Sequence, residues 1–452
     1  MTVHELPRKL TWLDSTMIVV GIVIGSGIFL LPNLIARNLG TGVAILAAWV
    51  VSGVLSYFGA LAYAELGAMM PATGGQYVYL REAFGPACAF VSGWTFMLAV
   101  LSGGIAFLAV SFSIYLGQFV HLTKGGSTAV SLGVIAVLSI VNYLGVREGA
   151  VVQVIFTFLK IAGLLVLIVA AFLTSVTAAP VSTVAPQDFS VARFGTAMIA
   201  CLMAYNGWTY ISFVAGEVKK PAQNVPRALT MGMLLVMALY VLANAAYLRI
   251  IPIPEMAATP RVGAALAERT LGSIGASLVS LTVLVSIIGA INGCILTNAR
   301  VPFAQAQDGL FFRHFASVHP RFQTPGFAII LQAAWTAILV LSGKYENLFS
   351  YAMVAAWIFY TLSVSAVFVL RRTMPDLPRP YRMWGYPYTL GVFLLVSLWF
   401  MVNAFVTAPG PSFMALAIIA TGALAYLIWR KPAGSHDAVA AISRETADRA
   451  PD

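Results

Sequence analysis

Twelve apolar stretches, each close to or longer than the roughly 20 residues that cross a hydrocarbon core, follow one another along this chain with short polar connections between them. Their extents are 15–37, 42–69, 87–119, 128–145, 150–175, 191–215, 226–251, 272–300, 326–343, 347–371, 387–408 and 411–430. Runs of that length read as membrane helices. The expected fold is therefore an all-α polytopic membrane protein with 12 transmembrane helices. Composition agrees: of 452 residues, 60% are hydrophobic and 9% charged, against about 25% charged in soluble domains. The mean hydropathy is +0.89.

The polar residues exclude several function classes. The net charge of +10 does not point to nucleic acid, because the basic residues are spread over short loops with no basic domain to hold a polyanion. Met1 to Leu13 is polar and leads into a full-length span, without the short apolar core and small-residue cleavage site of a signal peptide. Cys88, Cys201 and Cys294 lie in or at the edge of apolar runs, and an odd number there argues against a disulfide framework. His4, His121, His314, His319 and His436 are scattered over loops and tails and form no metal-ligand cluster. No metal or cofactor is expected. No nucleophile–base pair or phosphate loop stands out, so an enzyme is not expected either.

The connections set the orientation. With both termini in the cytoplasm, 18 of the 26 Lys and Arg fall in inside segments and 7 outside, the last being Lys160 within span five. The reverse orientation would invert that ratio. Spans one to five (15–175) and six to ten (191–371) then form two halves. Five is odd, so span one starts inside and span six outside, and the halves are inverted repeats. Spans eleven and twelve (387–430) lie outside the repeat. The N-terminus (1–14) and the tail (431–452) are assigned to the cytoplasm, and the polar, Ala-rich tail has the composition of a disordered segment.

Two of the stretches are interrupted. Ile24-Gly25-Ser26-Gly27-Ile28-Phe29 breaks the first, and Ala204-Tyr205-Asn206-Gly207-Trp208 breaks the sixth. A broken helix frees N–H and C=O groups that hydrocarbon cannot satisfy, and breaks at matching places in two halves point to a transporter's substrate site. Unwinding at Gly25-Ser26-Gly27 would present N–H groups at the start of a half-helix, which favour an anion such as a carboxylate. Small residues there also suit close helix packing. Freed carbonyls at the second break can hold an ammonium, although Tyr205 and Trp208 are also ordinary aromatics of a membrane interface. Anion donors facing cation acceptors suit a zwitterion, that is, an α-amino acid.

Lys160 is the sole ionisable group deep in a span. An ammonium at a helix centre costs about 2.5–3.5 kcal/mol on insertion scales, so it needs carbonyl or hydroxyl partners or gives up its proton. It could be a fixed cation standing where a sodium ion might sit, a proton-exchanging group, or a lysine snorkelling to the interface. No Asp or Glu lies mid-span: Glu65, Glu148 and Glu217 sit near inside ends, and Glu217 has Lys219 and Lys220 beside it for local pairing. The missing central carboxylate weighs against a dicationic substrate and an acidic proton relay. Tyr240 and Asn244 share a helix face. Ser286, Gly289, Asn292, Gly293 and Thr297 form a small-polar stripe that either packs helices or lines the site. Pro378 to Pro387 is too rich in proline to be helical and reads as an interfacial connector.

Together these segments resemble the amino acid–polyamine–organocation superfamily, and within it the L-type amino acid transporter family and its bacterial relatives. The resemblance is carried by GIVIGSGIFLLP at 21–32, FLKIAGL at 158–164, MAYNGWTYISFVAGEVKKPAQNVPRAL at 203–229, YVLANAAY at 240–247, SIIGAINGCILTNARVPFAQAQDGLF at 286–311 and RPYRMWGYP at 379–387. It implies a LeuT-type fold of 5+5 inverted repeats with discontinuous helices 1 and 6, and sodium-independent amino acid transport, often by obligatory exchange. It places a substrate carboxylate against the backbone of Gly25, Ser26 and Gly27 and the ammonium against carbonyls of Val23, Met203 and Asn206. It puts Lys160 in the place of a sodium ion and has Tyr240 shape the pocket and couple closure to binding, with Tyr205, Trp208 and Asn292 as gating and pocket residues.

Two positions depart from the family pattern. Met203 stands where relatives often carry an aromatic gate, and Asn206 where a small residue is usual. A flexible Met could admit varied apolar side chains, while Asn206 could narrow the pocket or add a polar contact. Eukaryotic members bond to a heavy chain through a cysteine in the loop after span three. Residues 120–127 hold none, so no disulfide-linked partner is expected.

The leading expectation is an exchanger or facilitator of neutral L-α-amino acids in a cell's inner membrane, working by alternating access, with an amino acid and the lipid bilayer as its partners. One alternative is a proton-coupled importer with Lys160 titrating, carrying cationic amino acids or polyamines in a weaker variant. The other is a membrane sensor that binds an amino acid without moving it.

Overall fold

A computed structural model of the chain describes residues 6–175, 190–343 and 345–429, with the backbone alone at 345–350. The polar tail expected to be disordered lies outside the described residues. The helices are α1 Trp12–Val23, α2 Gly27–Asn38, α3 Gly42–Met69, α4 Gln76–Phe84, α5 Pro86–Thr95, α6 Ser102–Leu116, α7 Lys124–Leu144, α8 Val146–Leu173, α9 Val191–Ala204, α10 Pro221–Ile250, α11 Ile253–Ala258, α12 Val262–Leu271, α13 Ser273–Asn298, α14 Arg300–Gln307, α15 Gly326–Ser342, α16 Tyr345–Thr373, α17 Tyr388–Thr407 and α18 Pro409–Trp429. A π-helical stretch, Phe96–Leu101, joins α5 to α6, and a 3₁₀ stretch, Trp208–Glu217, follows the second break. The β pairing among the described residues is one isolated bridge between Leu10 and Val218.

Ten helical passages are long and apolar enough to cross a membrane, or eleven if the bent pair α1–α2 is one span. The expectation of 12 is thus met in part. The remaining stretch, 326–343, forms α15, an apolar helix of 17 residues at the lower limit of spanning length. The eighth passage was expected to end near 300 but runs on through α14 to Gln307. Its apparent stop signal, Arg300, is neutralised inside the protein: both it and Glu217 are fully buried, with Arg300 Nε donating to Glu217 Oε1 at 2.7 Å and Nη2 to Oε2 at 3.0 Å. This corrects the expected pairing of Glu217 with Lys219 and Lys220. Between spans seven and eight, two short helices, α11 and α12, fill what the sequence presented as a connection.

Exposure sorts the helices into centre and periphery. In the apolar window of Val191–Glu217, 83% of residues are buried, against 17% in Pro409–Ile428, so the second broken passage is central and α18 is outermost. In α1, every residue from Ser15 to Val23 is buried. Peripheral helices bury one stripe. On α8 that stripe includes Gln153, Thr157, Lys160, Leu164 and Leu167, spaced as one face of a 3.6-residue helix. Ile155, Phe158, Leu159 and Val166 of the same helix are about half exposed, which suits hydrocarbon.

Local sequence explains the ends of the central elements. Thr11 caps α1 in a reciprocal box, accepting from the Asp14 N–H at 3.3 Å while Asp14 Oδ2 accepts from the Thr11 N–H at 2.8 Å. Pro221 opens α10, where its missing N–H costs nothing. The proline-rich connector after α16 is non-helical and docks on buried Glu65, which accepts from the Met383 N–H at 2.6 Å and from Arg371 at 2.7 and 2.9 Å.

The approach of α1 to α8 depends on one missing side chain. A Cβ at Gly21 would lie 2.1 Å from Gln153 Nε2 and 2.2 Å from Thr157 Oγ1. Gly21→Ala is therefore expected to destabilise the folded protein by about 1–3 kcal/mol, the usual cost of overpacking. Thermal unfolding in detergent measures it, and Gly21→Ala/Gln153→Ala should recover part of the loss. Equal stability of Gly21→Ala and the parent would show that α1 and α8 are not held at this distance.

Candidate substrate site

The first break bends the chain by 42° between α1 and α2. Within it the Gly25 N–H bonds to the Val23 carbonyl at 2.8 Å and the Phe29 N–H to the Ser26 carbonyl at 3.1 Å. No side chain caps α2 at Ser26, so the first N–H groups of that helix point out of its positive end.

The carbonyls at the opposite, negative end of α1 are taken by side chains from three other helices. Lys160 Nζ donates to Gly21 at 2.7 Å, to Ile24 at 2.9 Å and to Ser286 at 2.9 Å, which uses all three of its N–H groups. Ser286 Oγ adds a 2.9 Å bond to the Ile24 carbonyl. The Tyr240 hydroxyl reaches the Val23 carbonyl at 2.9 Å and the Ala204 carbonyl at 3.3 Å. Lys160 is only 1% exposed, which is no snorkelling position; its Nζ instead faces three backbone carbonyl oxygens.

The second break lies directly on the first. After α9 ends, Tyr205 and Asn206 bond back to the Cys201 and Met203 carbonyls at 3.0 and 3.3 Å, and Gly207 turns the chain at φ +130°. A Cβ there would be 2.9 Å from Ile22 Cγ2 and 3.1 Å from the Val23 nitrogen, so glycine is required both by its backbone angle and by the closeness of α1.

The expected site residues divide into groups. Gly25, Ser26, Gly27, Met203 and Asn206 are partly exposed, whereas Val23, Ile24, Ala204, Gly207 and Tyr240 beside them are buried. The five exposed positions form the surface of the paired breaks, and Val23 and Tyr240 stand behind it. Tyr205 and Trp208 point into aromatic packing. Tyr205 lies against Trp49 and Tyr240, with ring centroids 5.9 and 5.0 Å apart, and Trp208 against Tyr63 and Tyr360 at 5.1 and 6.0 Å.

Asn292, expected among the pocket residues, belongs to a buried polar ladder instead. Its amide donates to the Gly149 carbonyl at 2.9 Å and to Gln153 Oε1 at 3.0 Å, and its oxygen accepts from Asn142 at 2.9 Å. Thr157 Oγ1 continues the ladder to the Met17 carbonyl at 3.2 Å. The ladder residues Asn142, Gln153 and Thr157 were not expected from the sequence, although Gln153, Thr157 and Lys160 are spaced as one helix face. Among the described residues no group of His, Cys, Asp and Glu could hold a metal ion, and the three cysteines are free.

Comparison with known proteins decides which family builds such a site. The sequence model of the family described as amino acid permease matches residues 10–426. The chain belongs to the amino acid permease family. The permease is 31% identical to the human cystine/glutamate transporter over 441 residues, covering 94% of this chain and 87% of that one. It is 33% identical to the serine/threonine exchanger SteT of Bacillus subtilis over 392 residues, 85% and 88% of the two chains. Its identity to the mouse b(0,+)-type amino acid transporter 1 is 30% over 434 residues, 94% and 88% of the two chains. These matches place the permease in the amino acid–polyamine–organocation superfamily on its L-type branch, as an integral membrane transporter of amino acids and not an enzyme.

Proposed function

We propose that this permease exchanges neutral L-α-amino acids across a bacterial inner membrane, independently of sodium, by alternating access between inverted halves 15–175 and 191–371. In this reading 387–430 stands outside the repeat and the termini are cytoplasmic. The observation that carries it is Lys160: its ammonium, bonded to the carbonyls of Gly21, Ile24 and Ser286, supplies a fixed positive charge where the negative end of α1 would otherwise call for a metal cation. The substrate carboxylate meets the N–H groups of Gly25, Ser26 and Gly27. The ammonium meets carbonyls around Met203 and Asn206, with Val23 behind them and Tyr240 linking the two breaks. Neutral side chains follow from the acids: Glu217 and Glu65 are committed to Arg300 and Arg371, so neither is free to pair with a substrate cation. The name of one relative, a serine/threonine exchanger, supports exchange of amino acids with uncharged side chains. No disulfide-linked partner is proposed, because 120–127 lacks cysteine.

Uptake of labelled L-amino acids into liposomes carrying the pure protein tests this, at equal pH and without sodium. Uptake into vesicles preloaded with unlabelled amino acid, and not into empty ones, is expected. Equal uptake into empty vesicles overturns obligatory exchange, and a requirement for sodium overturns the role given to Lys160.

A further inference from the structure

A polar cavity of about 950 Å³ opens at the end of the molecule where α1 and α8 begin and α7 ends. That volume lies near the top of the roughly 300–1,000 Å³ range of small-molecule sites. Four separate segments bring basic residues to it: Arg8 and Lys9 ahead of α1, Arg147 in the first turn of α8, Lys219 just after the 3₁₀ stretch, and Arg321 in the connection between α14 and α15. All five are exposed. Among the described residues none of the five is in an ion pair, and Arg321 lies over the Phe322 ring at 5.5 Å.

The acids of the lining do not balance this charge. They are Asp14 and Glu148, two against five. Asp14 Oδ2 is already taken by the Thr11 N–H and hydroxyl, at 2.8 and 2.7 Å. The Glu148 carboxylate folds back over Gly145, where a Cβ would run into it, at the positive end of its own helix. An excess of cations around one cavity calls for an anion, and phosphate oxygens are the acceptors that Arg and Lys bind most strongly. The remaining wall is apolar. Leu144 and Val151 line the cavity and are 44% and 50% exposed. The exposed strips continue away from it through Ile140 and Val137 on α7 and Ile155 and Leu159 on α8, two helices long and apolar enough to cross a membrane. The basic cavity therefore sits at headgroup depth, and its rim runs directly into hydrocarbon-facing surface.

We propose that this cavity binds an anionic phospholipid. Its phosphate sits among Arg8, Lys9, Arg147, Lys219 and Arg321, and its acyl chains leave past Leu144 and Val151 along α7 and α8. The excess of cations selects an acidic head over a zwitterionic one, and the apolar rim selects a lipid over free phosphate. Leu10 lines the same cavity and is paired through its N–H with Glu217 and through its carbonyl with Lys219, at 2.9 and 2.8 Å. Lys9 and Lys219 flank that pairing, one on each segment. A headgroup held by both ties the N-terminal segment to the end of the second broken passage.

Native mass spectrometry of the full-length protein in detergent tests this, with phosphatidylglycerol, phosphatidylcholine of the same chains and inorganic phosphate as probes. Phosphatidylglycerol should be retained at concentrations that leave phosphatidylcholine unbound, and inorganic phosphate should not displace it. Arg147→Gln/Arg321→Gln should weaken retention about thirtyfold, or about 2 kcal/mol, with Lys9→Gln/Lys219→Gln as a second pair should the first fail to fold. Lys124→Gln, at the opposite end of α7, should leave retention unchanged. Phosphatidylglycerol should also slow hydrogen exchange at the Leu10 and Lys219 amides of the parent protein. Equal retention of the two lipids, retention unaltered in both pairs, or an equal loss in Lys124→Gln would overturn the site. Displacement by inorganic phosphate would overturn the lipid as its occupant. Unchanged exchange at Leu10 and Lys219 would overturn the tie between the two segments.

Discussion

Lys160→Met is expected to abolish amino acid uptake while the protein still inserts and purifies. The substitution strips three hydrogen bonds, two from the end of α1 at Gly21 and Ile24 and one from the middle of α13 at Ser286. Hydrogen bonds to a charged group contribute about 1.5–3 kcal/mol each, but removing the ammonium also removes the cost of burying it, so net stability changes less than the bond count suggests. What is lost is position. The Gly21 carbonyl is left without a side-chain donor, and Ile24 keeps only Ser286 Oγ. The end of α1 is then free to move relative to α8 and α13, and the N–H groups of α2 lose their fixed aim. A fall in uptake of about 100-fold corresponds to about 2.7 kcal/mol of misplaced binding.

Lys160→Arg should fail as well. Its donors diverge in a rigid fork, and a Cβ at Gly289 would already be 3.1 Å from Nζ, so α13 leaves little room for a guanidinium. Liposome uptake combined with thermal unfolding separates lost transport from lost fold. Wild-type uptake by Lys160→Met would remove the lysine from the mechanism.

Glu217→Gln is expected to produce the largest loss of stability of any single substitution considered for this permease. It leaves the Arg300 charge fully buried without a counter-charge, replaces one of its two acceptor oxygens by an NH₂ donor and keeps only the other and the Leu296 carbonyl as acceptors. Deleting one member of a buried pair typically costs about 3–5 kcal/mol. The double variant Glu217→Leu/Arg300→Met should regain most of it, because two apolar side chains of similar size need no compensation. A lowered unfolding temperature for the single variant, with recovery in the double, is the expected pattern. Faster hydrogen exchange across Trp208–Glu217 should accompany the single variant. An unchanged unfolding temperature for Glu217→Gln would mean that the pair does not hold the 3₁₀ stretch.

These two residues also show what the sequence could reveal. A lysine among apolar neighbours announces itself, and Gly25-Ser26-Gly27 in one spanning run and Asn206-Gly207 in another mark the breaks, so Lys160 and the partly exposed positions Gly25, Ser26, Gly27, Met203 and Asn206 were legible. The acceptors of Lys160 at Gly21 and Ser286 were not, because backbone carbonyls carry no sequence signal. Glu217 was misread for a related reason: proximity along the chain suggested Lys219 and Lys220, whereas helix packing brings in Arg300 from 83 residues away. The family resemblance implied gating and pocket roles for Tyr205, Trp208 and Asn292, but side-chain direction, which tertiary packing sets and sequence does not show, turns them into neighbouring helices. The spanning helices were legible from length and hydropathy, and α15 fell at the margin because 17 residues are too few to separate a span from a shorter apolar helix.

The isolated pairing of Leu10 with the end of the 3₁₀ stretch has a mechanical meaning. Leu10 gives its N–H to Glu217 and receives that of Lys219, at 2.9 and 2.8 Å, while Gly207 rests on Ile22 and Tyr240 spans Val23 and Ala204. The two broken passages are thus fastened at their far ends and again at mid-length. Bodies fastened at two points along a shared axis can turn together about it but cannot slide past one another. At this end of the molecule the two passages are expected to move as one lever, so that access there requires either that the helices packed on them, α10 and α8 among them, swing away or that both Leu10 bonds snap first.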